Sequence, residues 1–112
     1  MQYINKIEIK GRIGMVRSQE IHGKKVANFS VVTEFLCKLP DGTMCSEATW
    51  HQTVAWEGKS IDPKIFSAFK GNAVHIVGRV RQNKYTAADG TDRIFQEIIA
   101  SEVKLLNEEQ SC

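Results

Sequence analysis

The chain has 112 residues, of which 42% are hydrophobic and 25% are charged, and these are the proportions of a globular protein. This length suits one hydrophobic core and excludes two domains of ordinary size. The net charge of +2 does not by itself indicate a nucleic-acid-binding protein, and no apolar run approaches the roughly 18 residues of a membrane-spanning helix. Because the start of the chain lacks an uninterrupted apolar segment, we expect no signal peptide and a cytosolic location.

The first part of the chain predicts two strands. Isoleucines alternate with charged residues from Ile4 to Ile13, which indicates a half-buried strand. A polar connection around His22 and Gly23 leads to a second predicted strand from Lys25 to Cys37, which the segment LPDGT closes as a hairpin. One side of this second strand carries Ala27, Phe29, Val31 and Thr33.

The third predicted strand is the segment TWHQTVAW, residues 49–56, in which two tryptophans lie six positions apart. Side chains of a strand alternate between two faces, so Trp50 and Trp56 share a face with Gln52 and Val54. The other face carries the smaller residues Thr49, His51, Thr53 and Ala55.

The tryptophan face has two interpretations. Large aromatic side chains usually fill protein cores. Alternatively, the indoles form an exposed platform that stacks on nucleic-acid bases. The second interpretation requires a core built from other residues, and the sequence offers Ile7, Ile9, Phe29, Val31, Phe66, Phe69, Val74, Ile76 and Val80.

After the third strand the apolar spacing changes to that of a short helix. Ser60 is a suitable N-cap, Pro63 lies in the first turn, and Gly71 follows the last apolar residue. The apolar stripe of this predicted helix consists of Ile61, Ile65, Phe66 and Phe69.

The remaining chain predicts two more strands, Ala73 to Gln82 and Arg93 to Leu106, joined by the long polar tip NKYTAADGTD. The resulting order predicts an all-β protein: a five-stranded OB-fold Greek-key barrel with one short helix between strands 3 and 4. We expect this domain to span residues 1–107, and residues 108–112 to form a short disordered remnant.

Three cysteines match no zinc-binding pattern, and an odd number fits poorly with a disulfide framework, so reduced thiols are the expected state. One alternative is that Cys37 faces Cys45 across the turn around Gly42 and forms a disulfide.

No cofactor, metal or catalytic site is predicted. The histidines lie on separate elements without ligand spacing, and the sequence contains no nucleophile elbow, phosphate-binding glycine loop or paired acids of a nuclease. Arg79, Arg81 and Lys84 follow one another closely, which fits either a solvated face or a phosphate track. Tyr85 lies in the polar tip, where its ring has no core to enter.

Several segments together resemble the bacterial single-stranded DNA-binding protein family. They are INKIEIKGRIG, VANFSVVT, TWHQTVAWEGK, KGNAVHIVGRVRQNKYTAADGTDR and EIIASEV, in the family's order and spacing from about Ile4 to Leu106. The resemblance implies an OB-fold that assembles as a homotetramer, with a dimer as the alternative, and wraps single-stranded DNA over aromatic platforms and basic tracks.

The resemblance also assigns roles to residues. It implies base stacking by Trp50, Trp56 and Tyr85, with Phe35 in TEFLCK as a further aromatic whose surroundings align less cleanly. It implies phosphate contacts by Arg81, Lys84 and, less directly, Lys6. Arg79 is added to these predicted contacts because it belongs to the same run of basic residues. It implies a subunit interface that includes His51, Ile7 and Ile9.

The chain also departs from the family. Gln52 stands where an arginine is common, and Glu8 and Lys10 stand where the paired first strands are commonly apolar. The sequence ends at LLNEEQSC without the family's acidic tail, so partners recruited through that tail are not predicted.

The predicted function is sequence-tolerant binding and protection of single-stranded DNA in replication, recombination and repair. It would take place in the bacterial cytoplasm at the nucleoid, with no membrane contact. The alternative is a primosome-type replication restart adaptor, which has the same fold and mainly joins protein partners.

Overall fold

A computed structural model describes residues 1–106 of the chain, so the predicted remnant at 108–112 lies outside the described residues. The described part contains five strands and one short 3-10 helix. In chain order they are β1 (Ile7–Ile21), β2 (Lys24–Lys38), β3 (Met44–Trp56), the 3-10 helix Pro63–Ser67, β4 (Ala73–Thr86) and β5 (Asp92–Leu106).

The strands close into a barrel in the order β1-β2-β3-β5-β4. All neighbouring strands are antiparallel except β3 and β5, which run parallel and pair only at Thr53 with Ile98 and Val54 with Ile99. The predicted fold class, a five-stranded OB barrel, is confirmed.

The core lies inside the barrel and is built from alternate residues of every strand. Its buried members are Ile9, Ile13, Ala27, Phe29, Val31, Ala55, Ile61, Ile65, Val74, Ile76, Ile98 and Val103. Ile7 and Phe66 are half-buried against this cluster, as the sequence predicted for core residues.

Phe69 is a wrong core prediction, because its side chain is 70% exposed. The predicted apolar stripe assumes a regular helix, but the helix ends at Ser67 and the next residue, Ala68, is already extended. The helix also begins two residues later than predicted, since the side chain of Asp62, and not that of Ser60, accepts a hydrogen bond from the backbone N–H of Lys64 and caps it.

Three strands are clearly longer than predicted. Strand β3 begins at Met44, five residues before the predicted start at Thr49. Strand β1 continues to Ile21, because a bulge between Ile13 and Met15 absorbs Gly14 and the pairing with β2 then resumes. Strand β4 continues to Thr86 and β5 begins at Asp92, so half of the predicted polar tip is strand and the turn is confined to residues 87–91.

The β2–β3 and β4–β5 hairpins end in the same turn, Asp-Gly-Thr. In each turn the aspartate carboxylate accepts hydrogen bonds from the backbone N–H and the hydroxyl of the threonine two residues later, at 2.6–3.0 Å. These bonds lower the pKa of Asp41 and of Asp89. Gly42 and Gly90 have positive φ, at 92° and 85°, a conformation that glycine adopts without strain.

Both hairpins extend from the same end of the barrel. Strands β3 and β5 run parallel where they pair, and each of them starts at the turn of its own hairpin. We name the projecting parts the β2–β3 arm, residues 34–48, and the β4–β5 arm, residues 81–97.

The β2–β3 arm is cross-linked. Cys37 and Cys45 are direct partners in the register, their Cα atoms are 5.0 Å apart, and their sulfurs form a disulfide. The structure therefore corrects the expectation of reduced thiols and supports the alternative pairing across the turn.

Thiol titration of the unreduced protein in denaturant is expected to find one free thiol per chain, because the disulfide removes two of the three cysteines. The same titration after reduction and removal of the reductant serves as the control and is expected to find three. Three free thiols before reduction would contradict the cross-link.

Candidate nucleic-acid interface

The two tryptophans of β3 face outward. Trp50 is 54% exposed and Trp56 is 41% exposed, whereas Thr53 and Ala55 on the opposite face are buried in the barrel. The predicted alternation is confirmed, and the interpretation in which the indoles fill the core is wrong.

The outward side of β1, β2 and β3 around these indoles is named the aromatic face. Paired residues of neighbouring strands lie side by side on one face of a sheet, so the register defines its rows. From the arms toward the other end, the rows are Arg12–Val32–Trp50, Met15–Ser30–Gln52, Arg17–Asn28–Val54 and Gln19–Val26–Trp56.

The Trp50 indole crosses β2 and lies against the β1 bulge. A Cβ atom placed on Gly14 would be 2.8 Å from Cη2 of Trp50 and 3.0 Å from the hydroxyl oxygen of Ser30. Glycine at this position therefore leaves room for the six-membered ring of the indole. More than half of the Trp50 side chain stays exposed and is available to a ligand.

Trp56 belongs to a small apolar patch that is separate from the core. Its row partner Val26 is 2% exposed, although it faces outward and lies outside the core cluster. The neighbours of Val26 in this row of the aromatic face are Gln19 and Trp56. The Trp56 side chain therefore contributes both to a local patch and to the exposed face.

Arg17 is a candidate that the sequence analysis missed. Its exposed side chain shares the aromatic face with both indoles, in a row between theirs. The alternation of β1 changes phase at the Gly14 bulge, so strict alternation from Ile13 would place Arg17 on the inner face, and only the register reveals its position. Arg12 lies in the Trp50 row, and its Nη1 donates to the carbonyl oxygen of Gly71 at 3.2 Å.

The β4–β5 arm separates residues that the sequence analysis grouped. By alternation Arg81 and Tyr85 share one face of the arm, and Lys84 lies on the opposite face. Tyr85 is exposed, and its ring centroid is 5.7 Å from that of Phe95 in a T-shaped arrangement. Phe95 is thus a further exposed ring near Tyr85, which only the strand register reveals.

Two of the predicted phosphate contacts already have acidic partners. The guanidinium of Arg81 forms an ion pair with Glu97, whose carboxylate also accepts a hydrogen bond from Asn83. The ammonium of Lys84 is 3.1 Å from a carboxylate oxygen of Asp92.

The other two predicted phosphate contacts are exposed. Lys6 precedes β1, and Arg79 lies on the outward side of β4. They flank the Ile7–Gly78 pair, so they lie close together. Within residues 1–106, neither side chain has an ion-pair partner.

Phe35 lies on the other side of the β2–β3 arm from Trp50. Val32 pairs with Trp50 on the outward face, and Phe35 is three positions further along an uninterrupted register. The Phe35 side chain is 67% exposed. The structure therefore brings Trp50 and Trp56 onto one face and leaves Phe35 off it.

His51 lies where the β2–β3 arm and the β4–β5 arm separate from each other. Its Nε2 is 2.9 Å from the hydroxyl oxygen of Thr33, and burial lowers its pKa, which favours the neutral ring. A cleft of about 250 Å³ opens here between β3 and β5, lined in part by His51, Gln52 and Gln96.

The predicted interface residues of β1 have inward-facing side chains, and their role in an interface stays a prediction. Ile9 is a core residue and Ile7 is half-buried against the core, so both side chains point into the barrel. Their neighbours Glu8 and Lys10 face outward.

Among residues 1–106, no three His, Cys, Asp or Glu side chains are grouped so that they could hold a metal ion. The search for a helix long and apolar enough to cross a membrane found none in the same part of the chain.

A closed five-stranded barrel with exposed indoles and an arginine on one outer face belongs to the class of oligonucleotide-binding OB domains. Comparison with known families places it more closely. Residues 4–106 match the model of the Single-strand binding protein family, and the chain belongs to this family.

Named relatives agree with this assignment. The chain is 30% identical over 109 residues to a single-stranded DNA-binding protein of Neisseria meningitidis, covering 92% of this chain and 60% of that protein. It is 28% identical over 116 residues to single-stranded DNA-binding protein 1 of Xylella fastidiosa, covering 98% of this chain and 82% of that protein. The chain thus spans about three fifths of the Neisseria protein's length.

Solved structures support the fold. One described as "Plasmodium falciparum SSB complex with ssDNA" superposes with a TM-score of 0.80 at 24% identity, over 96% of this chain and 98% of that one. A deletion mutant of the Thermus aquaticus single-stranded DNA binding protein gives a TM-score of 0.74 at 13% identity, over 93% of this chain and 51% of that one.

Proposed function

We propose that this chain binds single-stranded DNA without strong sequence preference, by stacking bases on the aromatic face. The observation that supports this most directly is the exposure of Trp50 and Trp56 on one outer face of an OB barrel. Stacking on an aromatic side chain contributes about 1–3 kcal/mol per base and tolerates any base, because every base has a π-face.

The geometry suggests a path for the strand along β3. Trp50 and Trp56 are six residues apart on one strand, which corresponds to roughly 20 Å at the rise of a β-strand. Arg17 lies in a row between them and is placed to contact a phosphate of the segment that joins two stacked bases.

The remaining predicted contacts divide into two groups. Lys6 and Arg79 are free of ion pairs within residues 1–106, and we propose that they contact phosphates directly. Arg81 and Lys84 can do so only by exchanging Glu97 and Asp92 for phosphate, so they should contribute less. Tyr85 would stack on a base that reaches the β4–β5 arm. Phe35 would meet a base only on the side of the β2–β3 arm that faces away from Trp50.

In the cell, the proposed role is to coat and protect single strands during replication, recombination and repair. This role is that of a cytoplasmic, nucleoid-associated binding protein without a catalytic step or cofactor. We propose that the chain self-associates as a homotetramer, with a dimer as the alternative.

The second candidate function is a replication restart adaptor that mainly joins protein partners. The ion pairs of Arg81 and Lys84 favour it, because they reduce the positive charge free to meet phosphates. Titration with oligo(dT) together with mass by light scattering separates the two functions: stoichiometric, tight binding supports the coating protein, and weak binding by a dimer supports the adaptor.

Single-stranded oligonucleotides of mixed sequence are expected to bind far more tightly than duplexes of equal length, because the bases of a duplex are not available for stacking on the indoles. Affinity should fall as salt rises, since bound arginine and lysine release counterions from the phosphates. Fluorescence titration of both ligands across a salt series measures this. Equal affinity for the two at about 0.15 M salt would reject the coating role.

A further inference from the structure

The β2–β3 arm is a two-stranded hairpin without a third strand beside it. Strand β1 pairs with β2 only as far as Val32, and β5 pairs with β3 only at Thr53 and Val54. Among residues 1–106, the two strands of the arm therefore pair only with each other. An isolated two-stranded hairpin is marginally stable at best in water. The order of this arm consequently depends on the links between its own two strands.

The usual non-covalent links are weak in this arm. Its large apolar side chains are exposed and bury little surface: Phe35, Leu36, Leu39 and Met44. Within residues 1–106, its charged side chains have no ion-pair partners: Glu34, Lys38, Asp41 and Glu47. The Cys37–Cys45 disulfide is thus the one covalent or ionic link that the described structure shows between the strands of the arm.

The β4–β5 arm ends in the same Asp-Gly-Thr turn but is held together by other chemistry. Two ion pairs and one pair of rings join its strands: Arg81–Glu97, Lys84–Asp92 and Tyr85–Phe95. None of these contacts responds to a thiol reagent. Redox conditions can therefore change the order of the β2–β3 arm without changing that of the β4–β5 arm.

The order of the β2–β3 arm bears on the aromatic face, because Trp50 lies at the base of the arm. Its partner Val32 is the last residue of β2 that also pairs with β1. On the other side of β3, the pairing with β5 is at Thr53 and the residue after it, so within residues 1–106 the backbone of Trp50 is paired with β2 alone. The next pair toward the arm is Thr33–Thr49, through which fraying of the arm would reach the indole.

The disulfide is placed for thiol exchange, since both cysteines are half-buried and lie outside the core cluster. A thiolate of a dithiol reductant bonds to one cysteine sulfur, the Cys37–Cys45 bond breaks, and the other cysteine leaves as a thiolate that takes up a proton. The second thiolate of the reductant then displaces the first cysteine. The reductant ends as a disulfide and the arm as two thiols. Glutathione disulfide reverses the change by the same exchange, with release of two glutathione thiols.

We propose that Cys37 and Cys45 form a reversible redox site that controls the binding of single-stranded DNA. The closed disulfide holds the arm and the adjoining Trp50 in place, and the dithiol form loosens both. This proposal rests on the proposed function, which places the chain in the cytoplasm. A disulfide in that compartment is usually transient and has a catalytic or redox-sensing role. Because a preorganised surface binds more tightly, the cross-linked form has the higher affinity.

The test compares the oxidised chain with the same chain reduced by dithiothreitol. Reduction is expected to speed backbone amide exchange in residues 34–48 by about tenfold or more, because the cross-link no longer opposes fraying. Residues 81–97 serve as the internal control and should exchange as before. The Kd for oligo(dT) should rise by about threefold or more on reduction. In a series of glutathione buffers, alkylation followed by mass spectrometry should find the site passing reversibly between disulfide and dithiol.

Two variants separate the cross-link from other effects of the reductant. The double variant Cys37→Ser with Cys45→Ser should match the reduced wild type under both conditions, with circular dichroism to show that it folds. Cys112→Ser removes the remaining thiol, keeps the cross-link and should respond as the wild type does.

Equal amide exchange in the arm before and after reduction overturns the redox site, and so does a cross-link that no glutathione buffer opens. Faster exchange with an unchanged Kd overturns its control over binding. A chain that binds no oligo(dT) in either state overturns the proposed function and, with it, this control, while the amide exchange still shows whether the disulfide orders the arm.

Discussion

Trp56→Ala is expected to weaken oligo(dT) binding by about 1–3 kcal/mol, which is roughly 5- to 150-fold, while the melting temperature changes little. The indole is 41% exposed on the aromatic face and is not a member of the core cluster, so its removal opens no cavity in the barrel. Fluorescence titration measures the affinity, and a thermal scan measures the stability.

Gln52→Ala is the matched control, since Gln52 lies on the same strand and face but has no ring to stack. It should leave the affinity close to that of the wild type. The wild-type protein gives an independent readout, because indoles that stack on bases lose fluorescence as the oligonucleotide is added. A Trp56→Ala protein that melts much earlier yet binds normally when folded would show that this indole supports the fold and that the site assignment is wrong.

Trp50 differs from Trp56 in what surrounds its ring. Its ring lies over the β1 bulge, where the missing side chain of Gly14 makes room for it. The sequence marks Gly14 as a bend or a bulge, but its relation to an indole 36 positions later emerges only when β1, β2 and β3 are aligned by their register. The position of the ring therefore depends on three strands, and no local pattern contains it.

The faces of the strands were predictable because alternation is a local property. Trp50 and Trp56 had to share a face, and the small residues opposite them had to point inward. The same rule also separates Lys84 from Tyr85, once β4 is known to continue through both. Polar composition obscured that continuation, since the tip residues carry no apolar alternation to mark a strand.

The ion pairs of the β4–β5 arm could not be predicted in the same way. Arg81 meets Glu97 because the two strands pair in one particular register, and the sequence offers several carboxylates at similar distances along the chain. Resemblance to a family supplied the fold and the indoles, but this chain's own charges decide which cations are free.

The short helix shows the limit of apolar spacing. Ile61 and Ile65 are buried as predicted, and Phe66 is half-buried, but Phe69 is exposed. Backbone contacts decide this difference: Asp62 caps the helix, its N–H donates to the carbonyl oxygen of Val103, and its carboxylate accepts from the N–H of Leu105. These bonds attach the segment to β5, and only a five-residue helix follows before the chain turns toward β4.

Phe29→Ala is expected to cost about 3–5 kcal/mol of the free energy of unfolding, the usual cost of removing a buried phenyl ring and leaving a cavity. Phe29 is 3% exposed and lies in the core cluster, where β2 presents alternate residues to the inside of the barrel. Since small domains have only about 5–15 kcal/mol of stability, the variant should melt at least about 10 °C lower or fail to fold.

The chain contains a closely matched control for this loss. Phe35→Ala removes the same ring from the same strand and the same side of it, but Phe35 is 67% exposed on the β2–β3 arm beyond the core. Its unfolding free energy should stay within about 0.5 kcal/mol of the wild type, because a surface substitution creates no cavity. Urea denaturation of the three proteins under the same redox condition gives the comparison, which keeps the Cys37–Cys45 cross-link constant. Equal losses in the two variants would mean that the arm packs as part of the core and that the boundary between barrel and arm is wrongly drawn.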